Sequence, residues 1–504
     1  MHYDRLGRCV GVQDAHDHTT TLHYNARDHL IGIDNALGEH LEFDYDATYR
    51  LVALSDAAQR RTRYSYDAYG RLHIIQRPDG RERHYSYHDN DTLKQMIDES
   101  GRVHTFAYNV NRYRTEHTVA DTFLRYDYDC FGNLISAATP NNRLSLEYDV
   151  NANIISQTLD NRTLKSDYTP QRRRNTLRLD GETLCRYHRD DSGRLQSLQT
   201  PHHAITVTSD ALGVRTCRDY PNRHTERMEY DSQYNLQSLH TADITHEYTY
   251  DTLGRIEQHN DTCYVYDAAS RLIQNTTATF SYDTQGNCQN RNARYHHTSG
   301  QLLSNATHTF SYDAQGNCIG KTDRRDHTHT HYRFNAYNQL IEVRRSDAAK
   351  NVYHTLSFSY DALNRRIAKT VTTVTSCGEE QHSHYRYLYD NENIVAIYDA
   401  DYTLLASIIH DEEHVDTPLS ITTYDQRSDA ELIPLLDDVE QSYFSTLTPQ
   451  ERAFLLNKKR QHSYYYHRDH QGSIIALSDA EGEIVERFTY DGSYGIITEH
   501  TKSV

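Results

Sequence analysis

The chain is built of short runs in which apolar and polar residues alternate, separated by tight polar breaks. Phe280-Ser281-Tyr282 and Phe358-Ser359-Tyr360 are two such runs, and a period of two is the pattern of a half-buried strand. The runs end on a tyrosine that is followed by aspartate, as at Asp67, Asp251 and Asp313, and then by glycine four residues after the tyrosine, as at Gly70, Gly132, Gly254, Gly286 and Gly316. A carboxylate in that place accepts a backbone N–H two residues on. The glycine supplies the left-handed residue of a type I turn with a bulge. Arg or Asn comes next, and Leu, Ile or Cys opens the following strand. The unit predicts one hairpin per roughly 20 residues.

The unit recurs with a fixed period. Tyr3, Tyr24, Tyr45, Tyr66, Tyr87 and Tyr108 lie 21 residues apart, and Tyr128, Tyr148 and Tyr168 follow at intervals of 20. It returns with looser spacing at Tyr230, Tyr250, Tyr266, Tyr282, Tyr312, Tyr360 and Tyr490. Where glycine is missing, Asp28, Asp91, Asn338 and Asn364 stand in, since Asn and Asp also tolerate positive φ. Tyr49, Arg112, Ala152 and Tyr234 do not fit, which predicts turns of another type there, and the repeat blurs between Thr169 and Asp219. Hairpins paired edge to edge place the equivalent tyrosines in a cross-strand ladder. The expected fold is all-β: one long antiparallel sheet that twist forces to coil into a hollow shell. Scaffold, not chemistry, is the role expected of the ladder (Tyr45, Tyr66, Tyr87, Tyr108, Tyr128, Tyr148, Tyr250, Tyr282, Tyr312, Tyr360) and of the turn aspartates and glycines.

The pattern divides the chain into a repeat region at 1–429, an insertion at 430–460 and further repeats of the same shell at 461–504. In the insertion, Thr448-Pro449-Gln450-Glu451 reads as a helix start with Thr448 as N-cap and Glu451 closing a capping box. The helix would run through Phe454, Leu455 and Leu456 to Lys458-Lys459-Arg460.

Composition narrows the function. Leu, Ile, Val and Phe make up only about a fifth of the residues, near the line where charged chains stay disordered, but 42 Tyr add apolar rings with strong β propensity. The net charge of -18 and the lack of a basic block argue against a nucleic-acid partner. With all 33 His protonated the charge becomes +15, so acidification would reverse its sign. No run approaches the length of a membrane span, and no signal peptide is visible, which suggests a cytoplasmic location before any export through a dedicated system. The 8 Cys show no CxxC and read as free thiols. Cys288 and Cys318, in the same slot of two repeats, are read in the same way.

Motifs for chemistry are sparse. His327, His329 and His331 share one face of a strand, and two of them would bind Zn²⁺ or Ni²⁺ only with outside ligands; the reading taken is a solvated face, and no metal or cofactor is assigned. Gly316 to Thr322 mimics a phosphate loop, but it has three residues between its glycines where four are needed, and it begins at a hairpin turn. No GxSxG or HExxH is present. No catalytic residue is assigned and no enzyme is expected.

The unit Tyr-Asp-x-x-Gly-Arg/Asn-Leu/Ile resembles the YD repeat of the Rhs family, whose relatives include the C component of Tc toxins and the teneurin shell. The segment from Tyr464 through His467-Arg468-Asp469-His470-Gln471-Gly472-Ser473 to Val485 is similar to the Rhs core, and Val415-Asp416-Thr417-Pro418-Leu419 resembles its VDxPL piece. The resemblance implies a hollow β cocoon around a toxin polypeptide, with a protein partner, a polypeptide cargo and a secretion apparatus as expected associates. No DPxGL motif is present, so no self-cleavage residues are carried over. Both ends read as cut, and the chain is expected to be a shell segment without the core-closing and toxin regions. The alternatives are an adhesion module that binds a cell surface or glycan, and a non-autonomous fragment of a larger Rhs protein.

Overall fold

The computed structural model describes residues 1–347, 352–375, 377–412, 414–428, 431, 452, 456, 460–490 and 497–502. These residues form 44 strands in two antiparallel sheets, of 28 and 16 strands. Each strand pairs with its neighbours in sequence, as Leu51–Ser55 pairs with Arg61–Tyr66, Arg61–Tyr66 with Leu72–Gln76, and Leu72–Gln76 with Glu82–Tyr87. Between the sheets, 276–293 is held by the single bridges Gln274–Thr279 and Tyr282–Cys288 and one 3-10 turn at Asn290–Asn292. Pro418–Tyr424 pairs directly with Gln461–Arg468, so the stretch between Tyr424 and Gln461 joins two neighbouring strands. The helix start predicted at Thr448 to Glu451 lies outside the described residues. Glu431, Arg452, Leu456 and Arg460 are helical, and Leu456 is buried.

The turn follows from the aspartate. One oxygen of Asp67 accepts the N–H groups of Tyr69 and Arg71, both at 2.9 Å, and the other accepts Nε of Arg71 at 2.8 Å. Asp251 and Asp313 repeat this with Arg255 and Asn317. Gly70 closes the turn at φ 83° by donating to the Asp67 carbonyl. Asp28, Asp91, Asn338 and Asn364 take the same place at φ 64–68°. Two expectations are corrected. Tyr49, Arg112, Ala152 and Tyr234 do not make other turns; they adopt φ 62–67° in the same one, because the Asp or Asn clamp at 46, 109, 149 and 231 holds the loop whatever stands there. The ladder also runs unbroken through 169–219 as five strands between Arg174 and Asp219.

The tyrosine ladder is organised differently from the expected row of rings. Successive repeat tyrosines stand two strands apart, and arginine fills the gap: Arg50 lies over Tyr66 at 4.7 Å and Arg71 over Tyr87 at 4.8 Å. Each of these guanidiniums is also clamped by its own turn aspartate. The phenols reach back one strand. Tyr66 donates to the Leu51 carbonyl at 2.7 Å and Tyr87 to Leu72 at 2.9 Å, and Tyr45, Tyr128, Tyr148, Tyr250, Tyr282, Tyr312 and Tyr360 make the same bond. The Leu51 carbonyl lies beyond the last ladder pair that its strand makes with Arg61–Tyr66, and the phenol supplies it with a partner on that side. Tyr108 departs from this and lies edge-on to His88.

Register slips by one residue at each repeat tyrosine, as between Ser65 and Tyr66 or Thr249 and Tyr250. A bulge of this kind bends its strand and adds right-handed twist, and here it recurs once per hairpin, always on the same rim. The ribbon therefore coils. Arg271 meets Glu39 across 232 residues, Arg81 meets Asp313 across 232, Arg102 meets Asn335 across 233 and Tyr126 meets Ala362 across 236. One turn of the coil is thus about eleven repeats of 21 residues. The surface is 28772 Å², whereas a compact protein of 58.7 kDa exposes about 19,000 Å². That excess belongs to a wall one sheet thick.

Along Arg61–Tyr66 the burial alternates, with Thr62, Tyr64 and Tyr66 on the covered face. The clefts of the wall open on this face, so the tyrosines line the concave side.

The clamp and the cap make separate predictions. Gly254, at φ 75° with open space around its Cα, tolerates the volume of valine but not its backbone: Gly254→Val costs about 1–2 kcal/mol or more, while Ala152→Gly stabilises by up to about 1 kcal/mol. An unchanged melting temperature in the first variant would refute the turn assignment. Tyr87→Phe loses about 1 kcal/mol through the uncapped Leu72 carbonyl, read as a lower denaturation midpoint at unchanged m-value.

Candidate functional site

Each hairpin has two ends, so the ribbon has two rims. One carries the Tyr-Asp turns. The other carries turns that begin at Asp14, Asn35, Asp56, Arg77 and Asp98, again 21 residues apart. The Tyr-Asp rim of the second coil sits on the opposite rim of the first. Arg102 donates to the Asn335 carbonyl at 3.2 Å, Tyr126 to Ala362 at 3.0 Å and Asn142 to Tyr360 at 3.2 Å. In return, Tyr337 donates to the His117 carbonyl at 3.1 Å and Tyr402 to Asp160 at 2.8 Å. The seam consumes backbone carbonyls that a hairpin turn leaves over.

Further along, charge takes over. Arg174 pairs with Asp390, Arg189 with Glu412, and both Arg215 and Arg218 with Asp411. Arg218 also holds Glu226, and the side chains of Arg218, Glu226 and Asp411 are nearly sealed from solvent. Burial raises the carboxyl of Glu412 above its usual range, against the pull of Arg189. Arg468 is held below the usual guanidinium range by burial and by Arg218. Breaking one partner of such a pair leaves an uncompensated buried charge.

Histidines close the seam at its far end. His467 contacts Ser478 Oγ at 2.8 Å and Thr241 Oγ1 at 3.2 Å, with the His224 ring 4.9 Å away. His224 reaches the Gly482 carbonyl at 2.8 Å. His246 and His259 are bonded at 2.9 Å, and Tyr248 and His470 pack on them. His203 lies edge-on to Tyr465. Burial lowers His203 and His246 to about 4 and His467 to about 3; His259 and His470 are lowered for the same reason. These rings are neutral in the folded chain.

Of these seam residues only Tyr360 was singled out individually in the sequence, as a ladder tyrosine, because the partners stand roughly 200–260 residues apart. The only signal was indirect: His467, Arg468 and His470 belong to the core-like segment, and Asp411 and Glu412 precede the VDxPL-like piece. Of the tyrosines, aspartates and glycines singled out in the sequence, Asp313 and Tyr360 also reach the seam, where their carbonyls accept Arg81 and Asn142. His329 is bonded to Thr322 at 2.6 Å on an exposed face. Gly316 to Thr322 is a hairpin turn running into the strand Cys318–Asp323. Cys288 and Cys318 are not joined in a disulfide. Among the described residues no helix is long and apolar enough to cross a membrane.

A comparison with protein families matches the teneurin YD-shell over residues 1–184, 199–330 and 258–415. The chain belongs to the teneurin YD-shell family. Solved structures share this YD-shell fold. The chain is similar to a TcdB2-TccC3-Cdc42 structure (TM-score 0.73, 14% identity, 96% of this chain and 28% of that one). It is also similar to a Photorhabdus luminescens Tc holotoxin pore carrying a TccC3 mutation (0.67, 12%, 96% and 26%) and to TcdB2-TccC3 without its hypervariable C-terminal region (0.54, 14%, 100% and 32%). The chain thus spans about a third or less of the solved chains it matches. No curated protein matches it.

The seam of this YD-shell has a pH signature. His203, His246 and His467 titrate near 6.5 when unfolded and near 4 or below when folded, so the unfolded chain binds more protons. Their contribution is complete above about pH 6.5 and is lost as the pH falls from there toward 4. The melting temperature therefore falls across that window. His203→Phe, which keeps the ring against Tyr465, shrinks the fall; an equal fall in both proteins would refute the assignment.

Proposed function

We propose that this YD-shell chain is a non-enzymatic wall segment that encloses a polypeptide and is completed by a second ribbon seated on its first coil. The observation that carries this reading is the difference between the two coils. In the second coil the Tyr-Asp turns are covered by the rim beneath them. In the first coil the same turns are bare, and they present apolar tips: Tyr69 and Phe131 are 85% exposed, Val110 98%. A rim of this kind is matched by one shape on the molecule, the opposite rim of another coil. The solved relatives pair a TcdB2 component with TccC3, which supports a protein partner. The one-sheet wall and its concave tyrosine face support an enclosed cargo.

The test is purification from the native host, followed by native mass spectrometry and limited proteolysis. A companion ribbon and a polypeptide that resists protease until the shell is unfolded are expected. A lone chain near 58.7 kDa, with every co-purifying polypeptide digested at once, would overturn the reading.

A further inference from the structure

The second coil widens between Cys318 and Asp390. Its strands lengthen from the 5–6 residues of the first repeats to 8, 9, 9 and 11 residues in Leu340–Asp347, Val352–Tyr360, Arg366–Val374 and Glu380–Asp390. On the concave face of this stretch lies an open basin of about 490 Å³. Register divides its floor into two parallel rows across the strands. Lys321, Thr330, Arg345 and His354 stand opposite one another in one row. Tyr332, Val343, Leu356 and Val371 form the other. The rows are two residues apart along each strand, or roughly 7 Å.

Several arginines of the ladder and the seam are clamped by a turn aspartate or by a carboxylate across the seam, as Arg71, Arg174, Arg218 and Arg255 are. Lys321 and Arg345 have no hydrogen bond or ion pair among the described residues. The two carboxylates that border the basin are already engaged: Asp323 with Arg325 at 2.9 Å and with His308 at 3.6 Å, and Asp326 with the Thr328 N–H at 2.8 Å. His354 is bonded to Thr373 at 3.2 Å. What remains is a cationic row beside an apolar row on a concave wall.

We infer that this basin is a binding site for an extended polypeptide segment in which acidic and aliphatic residues alternate. In an extended chain successive side chains point to opposite sides. A segment lying between the two rows directs its carboxylates to Lys321 and Arg345 and its aliphatic side chains to Tyr332, Val343, Leu356 and Val371. The two rows discriminate jointly: the floor accepts the apolar side chains, and the unpaired cations reject a basic segment. This site rests on the reading of the concave face as the side that meets a polypeptide.

The probes are three fluorescein-labelled peptides of alternating Glu-Leu, Gln-Leu and Lys-Leu, followed by anisotropy with the full chain. The Glu-Leu peptide is expected to bind at least about tenfold more tightly than the other two, with affinity falling as salt rises. Lys321→Gln with Arg345→Gln weakens it about tenfold and leaves the melting temperature unchanged, since neither side chain has a partner to lose. Lys321→Arg with Arg345→Lys restores binding, and Leu356→Ser weakens all three peptides alike. Equal binding of the three peptides, or equal affinity in the Gln variant, overturns the site. A chain that protects a cargo yet fails this test loses the basin and keeps the container; a chain that passes with no protected cargo keeps the basin and loses the container.

Discussion

The structure depends on the clamp that one aspartate places on each turn. Its carboxylate satisfies two backbone N–H groups and an Arg or Asn side chain at once, as Asp67 does with Tyr69 and Arg71. That fixes a left-handed residue at the turn and a one-residue slip at the tyrosine. The slip adds twist at the same place in every hairpin, and a ribbon twisted at regular intervals along one rim winds into a coil. The clamp also places the arginine over the next tyrosine, whose phenol caps the strand behind it. Local hydrogen bonding of three residues thus reaches the scale of the whole shell.

A wall one sheet thick has no second layer to bury its apolar face. This explains the composition. Tyrosine gives large contact area and a polar end that needs a partner, and the Leu carbonyl beyond the ladder supplies one. Aliphatic residues concentrate where the coils meet, as with Leu144, Leu198, Ile205, Leu388 and Leu419, all nearly inaccessible. There the wall behaves as an ordinary core, and the buried pairs of Arg215 and Arg218 with Asp411 stand beside it. Buried ion pairs add little net stability compared with apolar packing; what they add to a seam is register, because only one offset brings each cation to its carboxylate.

The repeat, its turn chemistry and the all-β coil were legible in the sequence, since each follows from spacing and from what Tyr, Asp and Gly do locally. Tyr49, Arg112, Ala152 and Tyr234 depart from expectation because propensity speaks only for the strained residue itself. The clamp three residues earlier supplies the compensation, and it overrides the preference against positive φ. The stretch at 169–219 keeps the ladder for a related reason: strands such as Arg174–Leu179 are held by their neighbours on both sides, and the signature tyrosine is dispensable there.

The sequence by itself determined the hairpin, its period and the direction of twist, all of which are set within about 20 residues. The tertiary structure alone decided the pitch, the seam and the face that turns inward. Pitch is a small angle summed over about eleven hairpins, so no single repeat encodes it. The seam joins residues separated by more than two hundred positions, such as Arg102 with Asn335 and His224 with Gly482. Their meeting depends on that accumulated angle. The same sum leaves Lys321 and Arg345 without carboxylates and turns them toward the concave side.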